Sequence, residues 1–149
     1  MNPKLTHVDE SGRARMVDVS EKAAGRREAR AEGRVRIAAE TREIILRSGL
    51  PKGNPFEVAR LAGVQAAKKT SELIPLCHNL PLDWVDVQVT LDEEGFCVTA
   101  AVVCRSATGV EMEALSAVSV AALTLYDMCK AVDKGIVISD IRLVYKKKD

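Results

Sequence analysis

One stretch limits how this chain can fold more than any other. Residues 114–126, ALSAVSVAALTLY, contain no charged side chain and read as the middle of a helix whose small and apolar residues point in every direction. A helix without a polar face has to be buried on all sides, and one small sheet covers only one of them. The sequence therefore predicts an oligomer in which this helix, from about Gly109 to Lys134, packs on a partner helix.

The remaining elements are predicted from hydrophobic periods and from helix-end signals. Thr108 with Glu111 three residues later has the spacing of a capping box, which predicts the start of the long helix. Alternating residues predict strands, and the 3.6-residue period, with Asn54 as a cap, predicts helices. The predicted strands are 26–37, 85–91, 96–104 and 135–145, the last with Val137, Ile141, Leu143 and Tyr145 in phase, and the further helices are 38–48 and 55–72.

This order of elements predicts an α+β fold. A strand, two helices, a hairpin, a helix and a last strand pack most simply as a ferredoxin-like antiparallel sheet with helices packed on one face. At 149 residues the chain fits one domain, 1–149, with one core. Residues 1–15 are polar and aperiodic, so we expect them to be mobile.

Composition excludes several classes of protein. The net charge is +1 and aromatic residues make up 3%, which disfavours a base-stacking, RNA-binding sheet. The N-terminus has no apolar core of a signal peptide, and the apolar run of 13 residues is shorter than the roughly 20 needed to span a bilayer. We therefore expect a soluble, cytoplasmic protein without a nucleic-acid or membrane partner.

Cysteine and histidine give no sign of a metal site. The four cysteines lack C-x-x-C spacing and the two histidines are far apart in the chain, so no metal ligands are predicted. Cys77 and His78 are neighbours in the segment IPLCHNL, 74–80, where side chains of adjacent extended residues point to opposite faces and cannot form a nucleophile pair. Pro75 and Pro81 make this segment a loop, which leaves a pocket wall or ordinary core.

Charged residues near helix ends are the candidates for chemistry. Asp127 and Lys130 are three residues apart on the long helix and can touch, although a plain surface ion pair has the same spacing. Glu113 lies about 21 Å from Asp127 along the helix axis, too far for one small substrate. If both act on one molecule, a second subunit has to complete the site.

Other cationic residues have competing explanations. Arg27 falls on the small, apolar side of its strand, where a charge needs a partner or an anionic ligand, but it could also fray out at the strand edge. Lys52 lies in a loop and is solvated by default. Lys68 lies near a helix C-terminus, where the helix dipole alone favours lysine. From the residues alone, no reaction follows.

Three segments resemble the MoaC family, the cyclic pyranopterin monophosphate synthases of molybdenum cofactor biosynthesis. They are LTHVDESGRARMVDVS, AKKTSELIPLCHNL and GVEMEALSAVSVAALTLYDMCKAVDKG, and the resemblance runs from about Leu5 to Tyr145. It implies a ferredoxin-like fold, a homohexamer built as a trimer of dimers, and a lyase. The implied substrate is a 3',8-cyclised dihydro-GTP, which becomes cyclic pyranopterin monophosphate with release of diphosphate. No cofactor is implied, with Mg²⁺ as an option beside the diphosphate.

The resemblance also implies roles for particular residues. Asp127 would be the acid/base residue, with Lys130 beside it and Lys52 as a second catalytic lysine. The substrate-binding positions implied are Leu76, Cys77, His78, Met112, Glu113, Arg27, Lys68 and Lys146. On this reading IPLCHNL is a pocket wall that presents His78.

Two readings compete with this enzyme. One is a non-catalytic ferredoxin-like module that binds a nucleotide and regulates another process. Such a module needs cations for phosphate but has no need of an aspartate between two lysines, so Lys52, Asp127 and Lys130 discriminate against it. The other, an RNA-binding sheet, lacks the aromatic platform.

Overall fold

A computed structural model describes residues 5–149; the first four residues of the predicted mobile segment 1–15 lie outside it. Residues 5–149 form four strands and four helices. In order they are β1 Gly25–Arg36, α1 Ala39–Arg47, α2 Pro55–Lys68, α3 Thr70–Leu73, β2 Trp84–Leu91, β3 Gly95–Ser106, α4 Glu111–Cys129 and β4 Val137–Lys148. The predicted helix 55–72 is thus interrupted at Lys69, where a second, short helix begins.

The four strands form one antiparallel sheet in the order β2-β3-β1-β4. Alternation explains its two faces: Ala29, Ala31 and Val35 of β1 are buried under the helices, while the arginines and glutamates between them face the other side. Helices α2 and α4 pack on each other and on this buried face. The predicted α+β fold, an antiparallel sheet with helices on one face, is confirmed.

Helix α4 is the centre of the core. By length and composition it could cross a membrane, but 56% of the relevant window is buried inside the protein, as in the core helix of a globular domain. Its small residues allow close packing: a Cβ added to Gly63 of α2 would lie 3.0 Å from the Ala117 carbonyl oxygen and 3.1 Å from Val87. Glycine at 63 therefore sets how closely α2 approaches α4.

The predicted ends of α4 are wrong. No side chain caps the helix, which begins at Glu111 after Val110 and ends at Cys129 rather than Lys134. The capping box does not form because the N-cap position is Val110 rather than Thr108, and because the Glu111 carboxylate pairs with Lys146. Beyond Cys129 the chain turns, and the Val132 and Asp133 N–H groups both donate to the Cys129 carbonyl.

The predicted phase of the last strand is also wrong at both Val137 and Tyr145, because Val137 pairs with Arg36 on the face opposite Leu143. Strand β4 pairs with β1 through two irregularities, between Arg30 and Ala31 and between Glu32 and Arg34. The first makes Leu143 the partner of Ala31 and Tyr145 the partner of Arg30, so the two side chains lie on opposite faces. Tyr145 accordingly lies under the Arg30 guanidinium, 5.0 Å from ring centre to Cζ.

Part of the segment predicted to be mobile forms a defined turn. Val8 and Ala14 are bridged, and the Asp9 carboxylate accepts hydrogen bonds from the Ser11 and Arg13 N–H groups, both at 2.9 Å. Further on, His78 Nε2 is 2.7 Å from the Val17 carbonyl oxygen, which fixes the segment against the IPLCHNL loop. Mobility of residues 1–15 remains a prediction.

Two apolar surfaces of the single chain face solvent. One is a stripe on α4, which we call the α4 stripe, comprising Met112, Leu123 and Tyr126, 37%, 59% and 40% exposed, with half-buried Leu115 and Ser119 between them. The helix predicted to be buried on every side is thus open along one side in the protomer. The other surface lies on edge strand β4, where Ile141 and Leu143 are exposed on the same face of the sheet.

Candidate active site

An aspartate held between two lysines lies at the C-terminal end of α4. Asp127 Oδ2 accepts from Lys52 Nζ at 2.8 Å, and Asp127 Oδ1 lies 2.8 Å from Lys130 Nζ. Lys52 also donates to the Asp127 backbone carbonyl at 3.0 Å. Each carboxylate oxygen therefore faces its own ammonium group, with the three side chains about half exposed. We call these three residues the aspartate cluster.

Two different parts of the chain bring the aspartate cluster together. Asp127 and Lys130 follow from helical spacing, because residues three apart share a face of α4. Lys52 arrives from the loop between α1 and α2, which is anchored by buried Leu50 and closed by a bridge from Leu50 to Gly53. Gly53 has φ of +103°, a conformation that other residues rarely adopt, so glycine at 53 permits the tight turn that presents Lys52.

The two lysines keep Asp127 ionised. Hydrogen bonds from Lys130 and then Lys52 lower the pKa of Asp127 from 3.8 to about 2, and the same aspartate raises the pKa of Lys130. At neutral pH the cluster therefore holds one carboxylate and two ammonium groups. It carries a net positive charge and has protons available on nitrogen, which suits both proton transfer and the binding of an anion.

A cavity of about 390 Å³ lies at the other end of α4. Its walls come from the IPLCHNL loop, the first turn of α4 and the N-terminal segment. Of the residues predicted to bind substrate, it is lined by Leu76, Cys77, His78, Met112 and Glu113. We call it the base cavity, because its size and mixed polar and apolar walls suit a heterocyclic ring. The loop's role as a pocket wall rather than core follows from this placement.

Glu113 is the unusual group of the base cavity. Its side chain is buried, with 4% exposure, and burial raises its pKa above the usual value, aided by the nearby charge of Glu111. A buried carboxylate is costly unless a partner compensates it, and a ligand's N–H groups would do so. Burial also raises the pKa of Cys77, so its thiol stays protonated and acts as an apolar wall.

A second, more open cavity of about 590 Å³ adjoins the first and is cationic. Four basic residues, Lys22, Arg27, Lys146 and Lys148, line it together with two acidic ones, Glu111 and Asp149. Lys22, Thr108, Gly109 and Glu111 also line the base cavity. We call it the cationic cavity. Arg27 does not fray out at the strand edge. It is 9% exposed and donates to the Ser106 and Ala107 carbonyls at 3.3 and 3.0 Å.

The predicted site residues thus fall into separate groups. The base cavity and the cationic cavity share a wall, whereas the aspartate cluster lies at the far end of α4, about 21 Å from Glu113 along the axis. Lys68 joins neither group: it lines a depression beside Leu80 and Trp84. Within residues 5–149, no three His, Cys, Asp or Glu side chains come together as metal ligands.

Several residues of the cavities were not predicted. Lys22, His7 and Glu111 line them, yet His7 and Lys22 lie in an aperiodic segment where no pattern marks a position as functional. Glu111 was counted among the charged groups of the long helix and assigned to a helix cap, but it was given no binding role. A usable signal for Glu111 was its place two residues before Glu113, in the first turn of the same helix.

The fold and these sites define an α+β protein with two adjoining cavities at one end of α4 and an aspartate paired with two lysines at the other. The chain belongs to the MoaC family, which it matches over residues 16–149. A relative in Chloroflexus aurantiacus (strain J-10-fl), named cyclic pyranopterin monophosphate synthase, is 56% identical over 97% of this chain and 90% of its own.

A second relative is a longer protein. The molybdenum cofactor biosynthesis bifunctional protein of Chlorobaculum tepidum is 54% identical over 96% of this chain, but the chain spans only 46% of that protein's length. The match to both relatives covers the segments that carry the base cavity and the aspartate cluster.

Proposed function

We propose that this protein is a lyase that converts the 3',8-cyclised dihydro-GTP into cyclic pyranopterin monophosphate and diphosphate, an early step of molybdenum cofactor biosynthesis. Family membership supports the reaction. The observation that carries it is the aspartate cluster, in which Asp127 has an ammonium group 2.8 Å from each carboxylate oxygen. A protein that only bound phosphate would gain nothing from an aspartate that neutralises half of that charge.

The two cavities suit the two halves of this substrate. In the base cavity, Glu113 would accept hydrogen bonds from the N–H groups of the guanine-derived ring, and His78 would contact base or phosphate. In the cationic cavity, Arg27 and Lys146 would bind the triphosphate. Lys146 pairs with Glu111 in the free protein, so the phosphate would replace that carboxylate.

We further propose that one active site takes residues from two protomers. Met112 and Asp127 stand at opposite ends of the α4 stripe, and Ser119 lies near its middle. If two copies pack antiparallel through this stripe, a two-fold axis near Ser119 exchanges its ends and brings the aspartate cluster of one copy to the base cavity of the other. The contact would also cover exposed Leu123 and Tyr126, which gives it a hydrophobic driving force.

The aspartate cluster and the cations have distinct tasks in this scheme. Opening the purine-derived ring and closing the pterin ring requires several proton transfers, which Asp127 and its lysines would make. Cyclising the phosphate onto the sugar expels diphosphate, and Arg27, Lys146 and the lysines of the cluster would stabilise the charge that develops on it. Enclosure between protomers would keep water from this charge.

The oligomeric state and the ferredoxin-like fold are part of the same proposal. The strand order β2-β3-β1-β4, with two helical crossovers, is that of a ferredoxin-like sheet. Edge strand β4 offers a second apolar contact beside the α4 stripe, and two different contacts are what a hexamer made as a trimer of dimers needs. Lys68 lines neither cavity in one chain and would contact substrate across such a contact.

We propose a cytoplasmic enzyme without a resident cofactor. Mg²⁺, if it takes part, would enter with the diphosphate it coordinates.

The test is incubation of the purified protein with the cyclised precursor, followed by measurement of diphosphate and of a fluorescent pterin derivative. Equal amounts of both products are expected. A protein that binds the precursor but releases neither product would instead be the nucleotide-binding regulator considered above. A matched control is Lys69→Ala, because Lys69 is exposed between α2 and α3 and lines neither cavity.

A further inference from the structure

Asp133, in the turn after α4, is a buried aspartate whose partners are not catalytic residues. It is 5% exposed, and its carboxylate accepts three hydrogen bonds: from the Ala38 N–H at 2.8 Å, from the Thr41 hydroxyl at 2.9 Å, and from the Gly135 N–H at 2.8 Å. Burial alone would raise the pKa of Asp133, but these hydrogen bonds hold it below the usual value. The Asp133 side chain is therefore ionised, and we call it, with its three hydrogen bonds, the clamp.

The clamp joins the turn after α4 to the start of α1, a helix that is also held by the Arg42 guanidinium on the Asp92 carbonyl and by half-buried Ile44 and Ile45 against the core. No side chain of α1's own N-cap closes its first turn, so Asp133 supplies an acceptor and a negative charge there. Thr41 is the one residue of α1 that is fully buried, and it is the residue whose hydroxyl donates to Asp133. Asp133 thus holds the first turn of α1.

Helix α1 leads directly to Lys52. Its nine residues span about 13 Å. The loop that follows carries Lys52 back to Asp127, six residues before Asp133 in the chain. The same two segments therefore touch twice, once at Asp133 with Ala38 and Thr41, and once at Lys52 with Asp127, with α1 as the strut between.

We propose that Asp133 is a positioning residue: by clamping the start of α1 it places Lys52 on Asp127. This inference rests on the proposed function, in which Lys52 is catalytic. Because Asp133 acts only through Lys52, its removal should lower kcat only as far as the contact between Lys52 and Asp127 is lost. Lys130 is unaffected, since helical spacing alone places it beside Asp127.

The kinetic test is a double-mutant cycle of Asp133→Ala and Lys52→Ala. Asp133→Ala should lower kcat by about 10- to 100-fold, the cost of a misplacement of about 1 Å, with little change in KM. In the Lys52→Ala background the same change should cost less than about twofold, because the contact is already lost. A loss in kcat as large in that background as in the wild type would overturn the proposal.

A second measurement does not depend on activity. The pKa of Asp127, read from the ¹³C shift of its carboxyl carbon, should rise from about 2 toward 3.8 in Asp133→Ala, as it should in Lys52→Ala. An unchanged pKa of Asp127 would refute the positioning role of Asp133, whether or not the wild-type protein converts the precursor. Failure of the wild-type protein to convert the precursor would refute only the proposed function.

Thr41→Val keeps the Asp133 carboxylate and serves if Asp133→Ala does not fold. It should move the pKa of Asp127 in the same direction by a smaller amount. The matched control is Thr70→Val, since Thr70 is equally buried, at 1% exposure, and its hydroxyl also donates within the core, to the Ala66 and Ala67 carbonyls. It should lose stability while the pKa of Asp127 stays where it is. Equal shifts in both variants would mean a general loosening and would end the proposal.

Discussion

Lys52 and Asp127 lie 75 residues apart in the chain, yet Lys52 Nζ is 2.8 Å from Asp127 Oδ2 and 3.0 Å from the Asp127 carbonyl oxygen. The second of these bonds matters as much as the first. The last carbonyls of a helix lack partners within it, so an ammonium group there is favoured by the helix dipole as well as by the carboxylate. The C-terminal end of α4 therefore holds the Lys52 ammonium group through two acceptors, the Asp127 carboxylate and the Asp127 carbonyl.

Asp127→Asn should abolish turnover without changing the fold. Asparagine keeps the shape, but its single carbonyl oxygen can accept from only one of the two lysines and the amide takes up no proton, so kcat should fall by about 10²- to 10⁴-fold. Circular dichroism and size-exclusion chromatography should match the wild type. Turnover within threefold of the wild type would remove Asp127 from the chemistry.

Lys52→Ala and Lys130→Ala should each raise the pKa of Asp127 from about 2 toward 3.8. Lys130 is the larger cause of the low pKa, so its removal should give the larger rise. A ¹³C titration of the carboxyl carbon between pH 1.5 and about 6 would measure both, since model aspartate titrates near 4. If the order of the two rises is reversed, the loop holds Lys52 closer to Asp127 than helical spacing holds Lys130.

Glu113→Gln should stabilise the free protein and weaken substrate binding together. The folded-state pKa of Glu113 is raised by burial, so its charge costs stability, fully so at pH above that raised pKa and not at all below the unfolded value. Glutamine removes the cost. The melting temperature should therefore rise at pH 7–8, by about 2–4 °C for each kcal/mol relieved, and change little near pH 4.

The functional half of that prediction is measured separately. The Kd for the precursor should rise in Glu113→Gln, because an amide in place of the carboxylate brings donors against donors. The matched control is Glu72→Gln in α3, an exposed carboxylate outside both cavities, which should alter neither quantity. Destabilisation of Glu113→Gln at pH 8 would mean that Glu113 already has a compensating partner.

Mixed oligomers should regain activity only when the two mutations lie in different halves of the site. Asp127→Asn spoils the aspartate cluster and His78→Ala spoils the base cavity, so random mixing should restore about a quarter of the sites. Mixing Lys52→Ala with Lys130→Ala is the corresponding negative control, because both lysines contact the same Asp127 of one chain. No activity regained in the first mixture would place the whole site within one protomer.

Local patterns in the sequence predicted the sheet, the helices and the Asp127–Lys130 pair, because these depend on residues close together in the chain. These predictions were wrong where a residue distant in the chain makes the deciding contact. Glu111 pairs with Lys146 instead of closing a capping box, and irregular pairing of β4 with β1 turns Tyr145 to the face opposite Leu143. Neither contact leaves a mark within a short window of sequence.

The site was predicted unevenly for the same reason. Residue patterns alone left Lys52 as a solvated loop lysine, and only the resemblance to a family assigned it a role. Asp133 and Lys22 were missed altogether, since a lone aspartate in a turn and a lone lysine in an aperiodic segment look like ordinary surface residues. Burial, which reveals Asp133, is a property of the fold and not of the local sequence.

Because Glu113 and Asp127 lie at opposite ends of one helix, the activity of the protein should depend on its own concentration. If neither end works alone, a lone protomer is inert, and specific activity should fall on dilution below the dissociation constant of the pair. Synthesis of a little more or less of the chain would then change flux more than proportionally. Such a protein would respond to its own cellular level without needing an effector.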